Sequence, residues 1–337
     1  MTNQKLITVC IATYNREKLV TQLVKELLSF DLNEEIEILI IDDCSPDDTF
    51  ESLSQFSDMP NVSIFRNQEN LSRARTQLRY FKLCKTEFLI EMPDDDVLFK
   101  DGLLELLDLL PKLDVDFLST RWIGDDGLLY PGRGGAISSG VGLSGKVQNI
   151  SLTSLREQSE HSIGCVFRAS IVKHSETYLL DRLDKNCALA FFFHQNIILC
   201  MAMLNNAKLL SCPILLGGYS QDIVAPSNFI DSNGNPYFSL PAVFNKYVGM
   251  KEFYEDMLEQ FSDSQLFHEL ESVSQSHNLS LYGAIDDAFY ISDEFKGTKD
   301  ILKNFRAGSV RNVFNPIKFL KYLFWFLKIK INSKSYK

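Results

Sequence analysis

The sequence has no CxxC pair, no internal repeat, no low-complexity tract and no apolar run near the length of about 20 residues that a helix needs to cross a bilayer. These gaps argue against a zinc site and against a helix that spans a bilayer. Seven cysteines, Cys10, Cys44, Cys84, Cys165, Cys187, Cys200 and Cys212, are an odd number and sit mostly within apolar stretches. They read as reduced core residues rather than as a disulfide framework. The polar start, Met1 to Leu6, runs straight into a strand-like segment and lacks the layout of a secretory leader. Acidic residues are missing from Ile301 to Lys337, where nine Lys and Arg stand unopposed. The first 300 residues hold 25 basic against 44 acidic side chains, a net of -19 within the chain total of -10. An acidic body argues against nucleic acid as a partner, because phosphate recognition rests on clustered Lys and Arg.

What is present is a folded chain of 337 residues with 45% hydrophobic and 23% charged content, enough for about two domains. Its first 120 residues alternate two periodicities. Apolar runs suited to buried strands occur at Leu6 to Ala12, Ile36 to Ile41, Val62 to Phe65, Phe88 to Met92 and Val115 to Leu118. Helical spacing lies between them, at Glu17 to Leu28, Thr49 to Phe56, Ser72 to Cys84 and Gly102 to Leu113. Strands that are apolar on both faces and separated by helices predict a doubly wound, mainly parallel α/β sheet. A Gly- and Ser-rich stretch from Gly124 to Gly145 predicts loops around a cleft. Further on, a strand entering a helix is expected at Cys165 to Val172, an apolar helix at Ala188 to Leu204, and a strand at Leu209 to Leu216 ended by Gly217 and Gly218. Helical spacing at Ala242 to Phe261, Ser264 to Ser276 and Leu279 to Tyr290 predicts a helical appendix.

Three polar clusters fall where the first, second and fourth strands end: Thr13, Tyr14, Asn15 and Arg16; Asp42 and Asp43; and Asp94, Asp95 and Asp96. Ligands of open parallel sheets bind beyond the carboxyl ends of the strands, so distant clusters converge on one crevice. Three successive carboxylates repel one another unless a cation or solvent separates them, and hard oxygen ligands favour Mg²⁺ or Mn²⁺. Arg73 and Arg75 in the first turn of a helix, where the dipole disfavours cations, suggest an anion nearby.

The segments VCIATYNREKLV, EILIIDDCSPDDT, NLSRARTQ and FLIEMPDDDVL, in this order and spacing, resemble the nucleotide-sugar half of family 2 glycosyltransferases with the GT-A fold. The likeness is close over about the first 100 residues and loose to about residue 225. It implies a GT-A domain over residues 1–225, with donor half 1–100 and acceptor half 101–225; beyond it, helical spacing and charge predict an appendix over 226–300 and a basic amphipathic tail over 301–337. It implies that Thr13, Tyr14 and Asn15 line the base pocket with Arg16 near, that Asp43 accepts a bond from the nucleobase with Asp42 beside it, and that Arg75 approaches the diphosphate. Asp94 to Asp96 would form the DxD element, Asp95 near the ribose and Asp96, with Asp94, on the metal. Where inverting members carry a Glu-Asp pair this chain has His194 and Gln195. The general base is therefore sought among His194, Asp181 and Asp184, with Asp222 next. The expected activity is metal-dependent, inverting transfer of a sugar from a nucleotide diphosphate sugar to a hydroxyl of a glycan or glycolipid. Two alternatives are a sugar-1-phosphate nucleotidyltransferase, for which Ala12 to Arg16 lacks the glycines of a phosphate loop, and a degenerate nucleotide- or carbohydrate-binding assembly protein. The tail from Phe314 to Ile331 sets Lys318, Lys321 and Lys328 against Phe319, Leu320, Leu323, Phe324, Phe326 and Leu327. It predicts a peripheral helix on an anionic membrane, at the cytoplasmic face.

Overall fold

The computed structural model describes residues 5–124, 129–130, 147–158, 161–185, 194–219 and 240–274. The first strands are β1 (Ile7–Thr13), β2 (Ile36–Asp42), β3 (Val62–Arg66) and β4 (Phe88–Pro93), all mutually parallel in the order β3-β2-β1-β4. The sheet continues through β9 (Cys165–Arg168), which is antiparallel to both β4 and β6 (Phe117–Ile123). It then reaches β10 (Leu209–Tyr219), parallel to β6, and the short β5 (Asp96–Leu98), antiparallel to β10. Two further short strands, β7 (Leu129–Tyr130) and β8 (Gln148–Asn149), pair with β6 and β10. The sheet is mixed but parallel over its first four strands, as the apolar runs predict.

Period-two alternation divides each strand between two cores. Ile7, Val9 and Ile11 of β1 and Phe88, Ile90 and Met92 of β4 join one buried cluster with Val20, Leu23, Val24 and Leu27 of α1 (Glu17–Ser29), Leu53 of α2 (Thr49–Leu53), and Leu103 and Leu106 of α4 (Lys100–Leu109). Cys10 and Leu89 join the opposite cluster with Leu78 and Tyr80 of α3 (Ser72–Leu83) and Leu179 and Leu183 of α6 (Glu176–Asp184). A short α5 (Leu155–Gln158) precedes β9. The α1 residues follow the i, i+3, i+4, i+7 spacing of a one-faced helix. By contrast, every residue of α7 (His194–Leu204) is buried, so this helix runs through the core between layers. Met250, Phe253, Tyr254 and Met257 of α8 (Leu240–Gln260) enter the same cluster as α7, so the helix expected in the appendix shares a core with α7.

β10 runs through Gly217 and Gly218 instead of ending before them. Both glycines pair with β5, and a Cβ at Gly217 would meet the Val97 carbonyl oxygen at 2.3 Å. Here glycine serves close backbone approach inside a strand rather than a turn after it. Burial also pushes the Cys200 thiol up to about 12 and the Cys212 thiol up to about 11, which keeps both protonated in the interior. No helix among the described residues is long and apolar enough to cross a membrane. The Gly-Ser stretch apart from Gly124 and Leu129–Tyr130, residues 188–193 of the expected apolar helix, the Asp222 loop, Cys187, the expected helix at Leu279 to Tyr290 and the basic tail lie outside the described residues.

Candidate active site

The parallel register places Thr13, Asp42 and Pro93 at the ends of adjacent strands, so the three clusters meet at one edge. Backbone bonds tie the loops that follow: the Asp43 amide donates to the Thr13 carbonyl at 2.9 Å and the Asn67 amide to the Asp42 carbonyl at 2.8 Å. Asn15, Cys44 and Ser72 take positive φ values of 55°, 63° and 69°. Such conformations cost about 1 kcal/mol or more each in non-glycine residues, and they gather where function constrains the chain.

The carboxylate triplet is divided by its partners. The Thr13 hydroxyl donates to Asp94 Oδ2 at 2.8 Å, while Arg16 Nη1 bridges Asp94 Oδ1 at 2.6 Å and Asp95 Oδ2 at 2.8 Å. Burial works against the Arg16 charge, yet Asp94 and Asp95 raise its pKa on balance. Burial raises the pKa of Asp94, opposed by Arg16. Asp96 opens β5, and its Oδ2 lies 3.7 Å from Nε2 of His161. Burial, then the charge of Asp95, push its carboxyl up to about 8. His161 is itself wedged in an aromatic group, stacked on Trp122 at 4.4 Å between centroids and edge-on to Tyr219 at 4.5 Å.

The Asp42-Asp43 pair is buried, and the two residues differ in role. Asp42 is fully enclosed, accepts the Ser45 hydroxyl and amide, and faces Arg66 Nε at 3.3 Å. Those bonds brace the loop after β2. Asp43 Oδ1 accepts from Asn67 Nδ2 at 2.6 Å and from the Leu71 amide at 2.9 Å. Its other oxygen accepts nothing among the described residues, which leaves an acceptor for a ligand. Tyr14 is 45% exposed beside this edge.

The other expected site residues lie on α3, α6 and α7. Arg75 Nη2 pairs with Asp184 Oδ1 at 2.6 Å, which joins α3 to α6. Asp181 pairs with Lys185 at 2.8 Å on the exposed side of α6. His194 is buried at the start of α7, one residue before Gln195, whose amide donates to Glu91. Glu91, Ser162 and His161 were not singled out by the sequence reading. A signal existed for Glu91, a carboxylate at an inward position of an apolar strand; none existed for His161, which reaches Asp96 only because β9 inserts between β4 and β6.

This arrangement has relatives. The family model for Glycosyl transferase family 2 matches residues 8–169, the stretch that carries all three strand-end clusters. Those residues form a family 2 glycosyltransferase domain. Poly(ribitol-phosphate) beta-N-acetylglucosaminyltransferase TarS of Staphylococcus aureus is 25% identical over 126 residues, covering 37% of this chain and 22% of TarS. The chain thus aligns with about a fifth of the length of that curated relative. In fold, the family 2 domain and its continuation resemble the structure of S. aureus TarS 1-349, with a TM-score of 0.58, 17% identity, and coverage of 88% of this chain and 78% of that one. The same TarS piece in complex with UDP-GlcNAc aligns at a TM-score of 0.55 and 18% identity, covering 88% and 76%. The mannosyltransferase PcManGT from Pyrobaculum calidifontis, in complex with GDP-Man and Mn²⁺, aligns at 0.50 and 12% identity, covering 95% and 84%. These likenesses establish a GT-A fold for the chain.

The residues present fit a divalent cation. Asp96 offers a carboxylate that its surroundings resist ionising, and His161 offers a nitrogen 3.7 Å away. No group of three or more His, Cys, Asp or Glu side chains suited to a metal occurs among the described residues. Two protein ligands suffice for an ion that takes its remaining ligands from phosphate and water.

Proposed function

We propose that the chain transfers a sugar from a nucleotide diphosphate sugar to a hydroxyl of a glycan or glycolipid acceptor, with inversion, and that Mn²⁺ or Mg²⁺ assists. The observation that carries this reading is the triplet at the end of β4. Arg16 pairs with both Asp94 and Asp95, while Asp96 is left buried beside them with its carboxyl near 8, a state that a cation relieves. Asp96 and His161 would hold that cation, which supplies charge neutralisation for the departing diphosphate. Tyr14 and the second oxygen of Asp43 would receive the nucleobase, with Thr13 and Asn15 shaping the floor. The base that removes the acceptor proton would come from His194, Asp184 or Asp181, since the donor-side carboxylates are already engaged. The UDP-GlcNAc and GDP-Man complexes of the structural neighbours support a nucleotide-sugar donor, and the polymer in the name of TarS supports a surface-polysaccharide or lipid-linked intermediate as acceptor. The composition of 301–337 supports attachment of the enzyme to the cytoplasmic face of an anionic membrane.

Incubation with UDP-GlcNAc or GDP-Man and candidate acceptors, following release of the nucleoside diphosphate, tests the reading. Release that needs Mn²⁺ or Mg²⁺ and is lost in Asp96→Ala supports it. Release that persists in EDTA and in Asp96→Ala contradicts the cation role.

A further inference from the structure

The turn that carries His161 to Asp96 is held from two sides. On one side are rings: the His161 imidazole stacks on Trp122 at 4.4 Å between centroids, and Tyr219 meets it edge-on at 4.5 Å. The close fit there depends on Gly164, where a Cβ would lie 3.0 Å from Trp122 Cδ1 and 3.2 Å from the Thr120 carbonyl oxygen. The Thr120 hydroxyl donates to the Gly164 carbonyl at 3.2 Å, and the Cys165 thiol to the His161 carbonyl at 3.3 Å. These contacts fasten the turn Ser162–Gly164 to β6 and to the start of β9.

On the other side is a carboxylate. Glu91 lies on β4, three residues before Asp94, and by period two it shares the face of Leu89, on the side away from Ile90 and Met92. It is 6% exposed. A carboxylate so enclosed costs free energy unless several donors meet it. It has them: the Ser162 hydroxyl at 3.0 Å, the Gln195 side-chain amide of α7, and Arg73 Nη2 of α3 at 3.3 Å. Arg73 Nη2 at 2.8 Å and Gln195 Nε2 at 3.2 Å also reach Ser162 Oγ, so the Ser162 hydroxyl sits at the centre of a network drawn from α3, β4 and α7. Well-packed apolar side chains of the same volume are often as stable as a buried ionic network, so stability alone does not account for this one.

Building on the function proposed above, in which Asp96 and His161 hold the cation, we infer that Glu91 is a positioning residue of this enzyme: through Ser162 it fixes the turn that sets His161 Nε2 3.7 Å from Asp96 Oδ2, and through Gln195 it ties that turn to the start of α7. His161 and Ser162 are joined by one planar peptide unit, so a hydroxyl anchored at Ser162 limits where the imidazole can go. The strand that runs into Asp96 thus also carries the anchor of the second ligand. With only two protein ligands, a misplaced one is not compensated by others, and the groups that orient a ligand govern affinity for the ion.

The test is titration with Mn²⁺ in the presence of UDP and, separately, of GDP, with free Mn²⁺ followed by electron paramagnetic resonance. It compares wild type with Glu91→Gln, Ser162→Ala and His161→Ala, and with each of the first two combined with His161→Ala. Glu91→Gln keeps the shape of its side chain and Ser162→Ala removes one oxygen, so the fold should survive both, which circular dichroism checks. Each should weaken Mn²⁺ binding about 10-fold or more, the effect of disturbing a group that orients a metal ligand, and the loss should vanish in the His161→Ala background. Wild-type affinity in both variants, or equal losses with and without His161, overturns the inference while leaving the cation reading intact. Unfolding of both variants overturns it as well, because a positioning role leaves the fold standing. Wild-type affinity in His161→Ala, or no Mn²⁺ binding by wild type with either diphosphate, overturns the inference together with the cation reading on which it rests.

Discussion

Replacing Asp96 by Asn should make the metal-free protein more stable while removing its function, with a pH dependence that identifies the cause. The folded carboxyl stands at about 8, raised by burial and then by Asp95, against 3.8 for the free side chain. Between those values the unfolded chain has released its proton and the fold retains it. Stability therefore falls as pH rises, by about 1.36 kcal/mol per unit, and the contribution is fully present only below about pH 4 and lost as pH passes 8. Accumulated from 3.8 to pH 7, the cost is about 4 kcal/mol. Asn carries no such cost. In EDTA, urea denaturation of Asp96→Asn and wild type should coincide near pH 4, diverge to a variant advantage of about 4 kcal/mol by pH 7, and run parallel above about pH 8. With Mn²⁺ and a bound nucleoside diphosphate at pH 7.5 the order should reverse, because the ligands stabilise only the wild type. A difference that does not change between pH 5 and 8 in EDTA would refute the assignment of Asp96 as a strained carboxylate awaiting a cation.

Three further outcomes are expected. Asp43→Asn keeps an acceptor for Asn67 and Leu71 but turns the second oxygen into a donor, so nucleoside affinity should fall by about 1 to 3 kcal/mol with little change in melting temperature; unchanged affinity by calorimetry removes Asp43 from base recognition. Gly217→Ala drives a Cβ to 2.3 Å from both the Val97 carbonyl and Ile163 Cδ1, so it should destabilise the fold by about 1 to 3 kcal/mol and, by displacing β5, weaken Mn²⁺-dependent nucleotide binding; thermal melts and titration check both. One of His194→Gln, Asp184→Asn and Asp181→Asn should lower kcat by about 100-fold or more while donor affinity survives, and normal turnover in all three moves the search for the base elsewhere.

The first four strands were legible because they are built locally. β1, β2 and β4 are apolar runs that end in polar clusters, and the parallel register converts three sequence-distant endings into one edge. Asp94 and Arg16 were found by that logic, although their ion pair was not foreseen. What escaped was carried by long-range topology. The insertion of β9 between β4 and β6 brings His161 to Asp96 and Ser162 to Glu91, and no local periodicity encodes that antiparallel pairing. Gly217 and Gly218 were read as a strand end by their usual turn chemistry, yet tertiary crowding against β5 and Ile123 is the reason for their small size. Glu91 was overlooked within an apolar strand, although its inward position by period two marked it as a buried charge that needs a partner.

The measurement that bears most directly on the central claim is isothermal titration of the wild-type protein with UDP and GDP, each with Mn²⁺ and with EDTA, repeated on Asp96→Ala. One diphosphate should bind with an affinity that rises in Mn²⁺, and the rise should disappear in Asp96→Ala while the fold, followed by circular dichroism, is retained. Binding of neither diphosphate, or equal affinity in EDTA and Mn²⁺ for both proteins, would contradict a cation-assisted nucleotide-sugar site built on the end of β4.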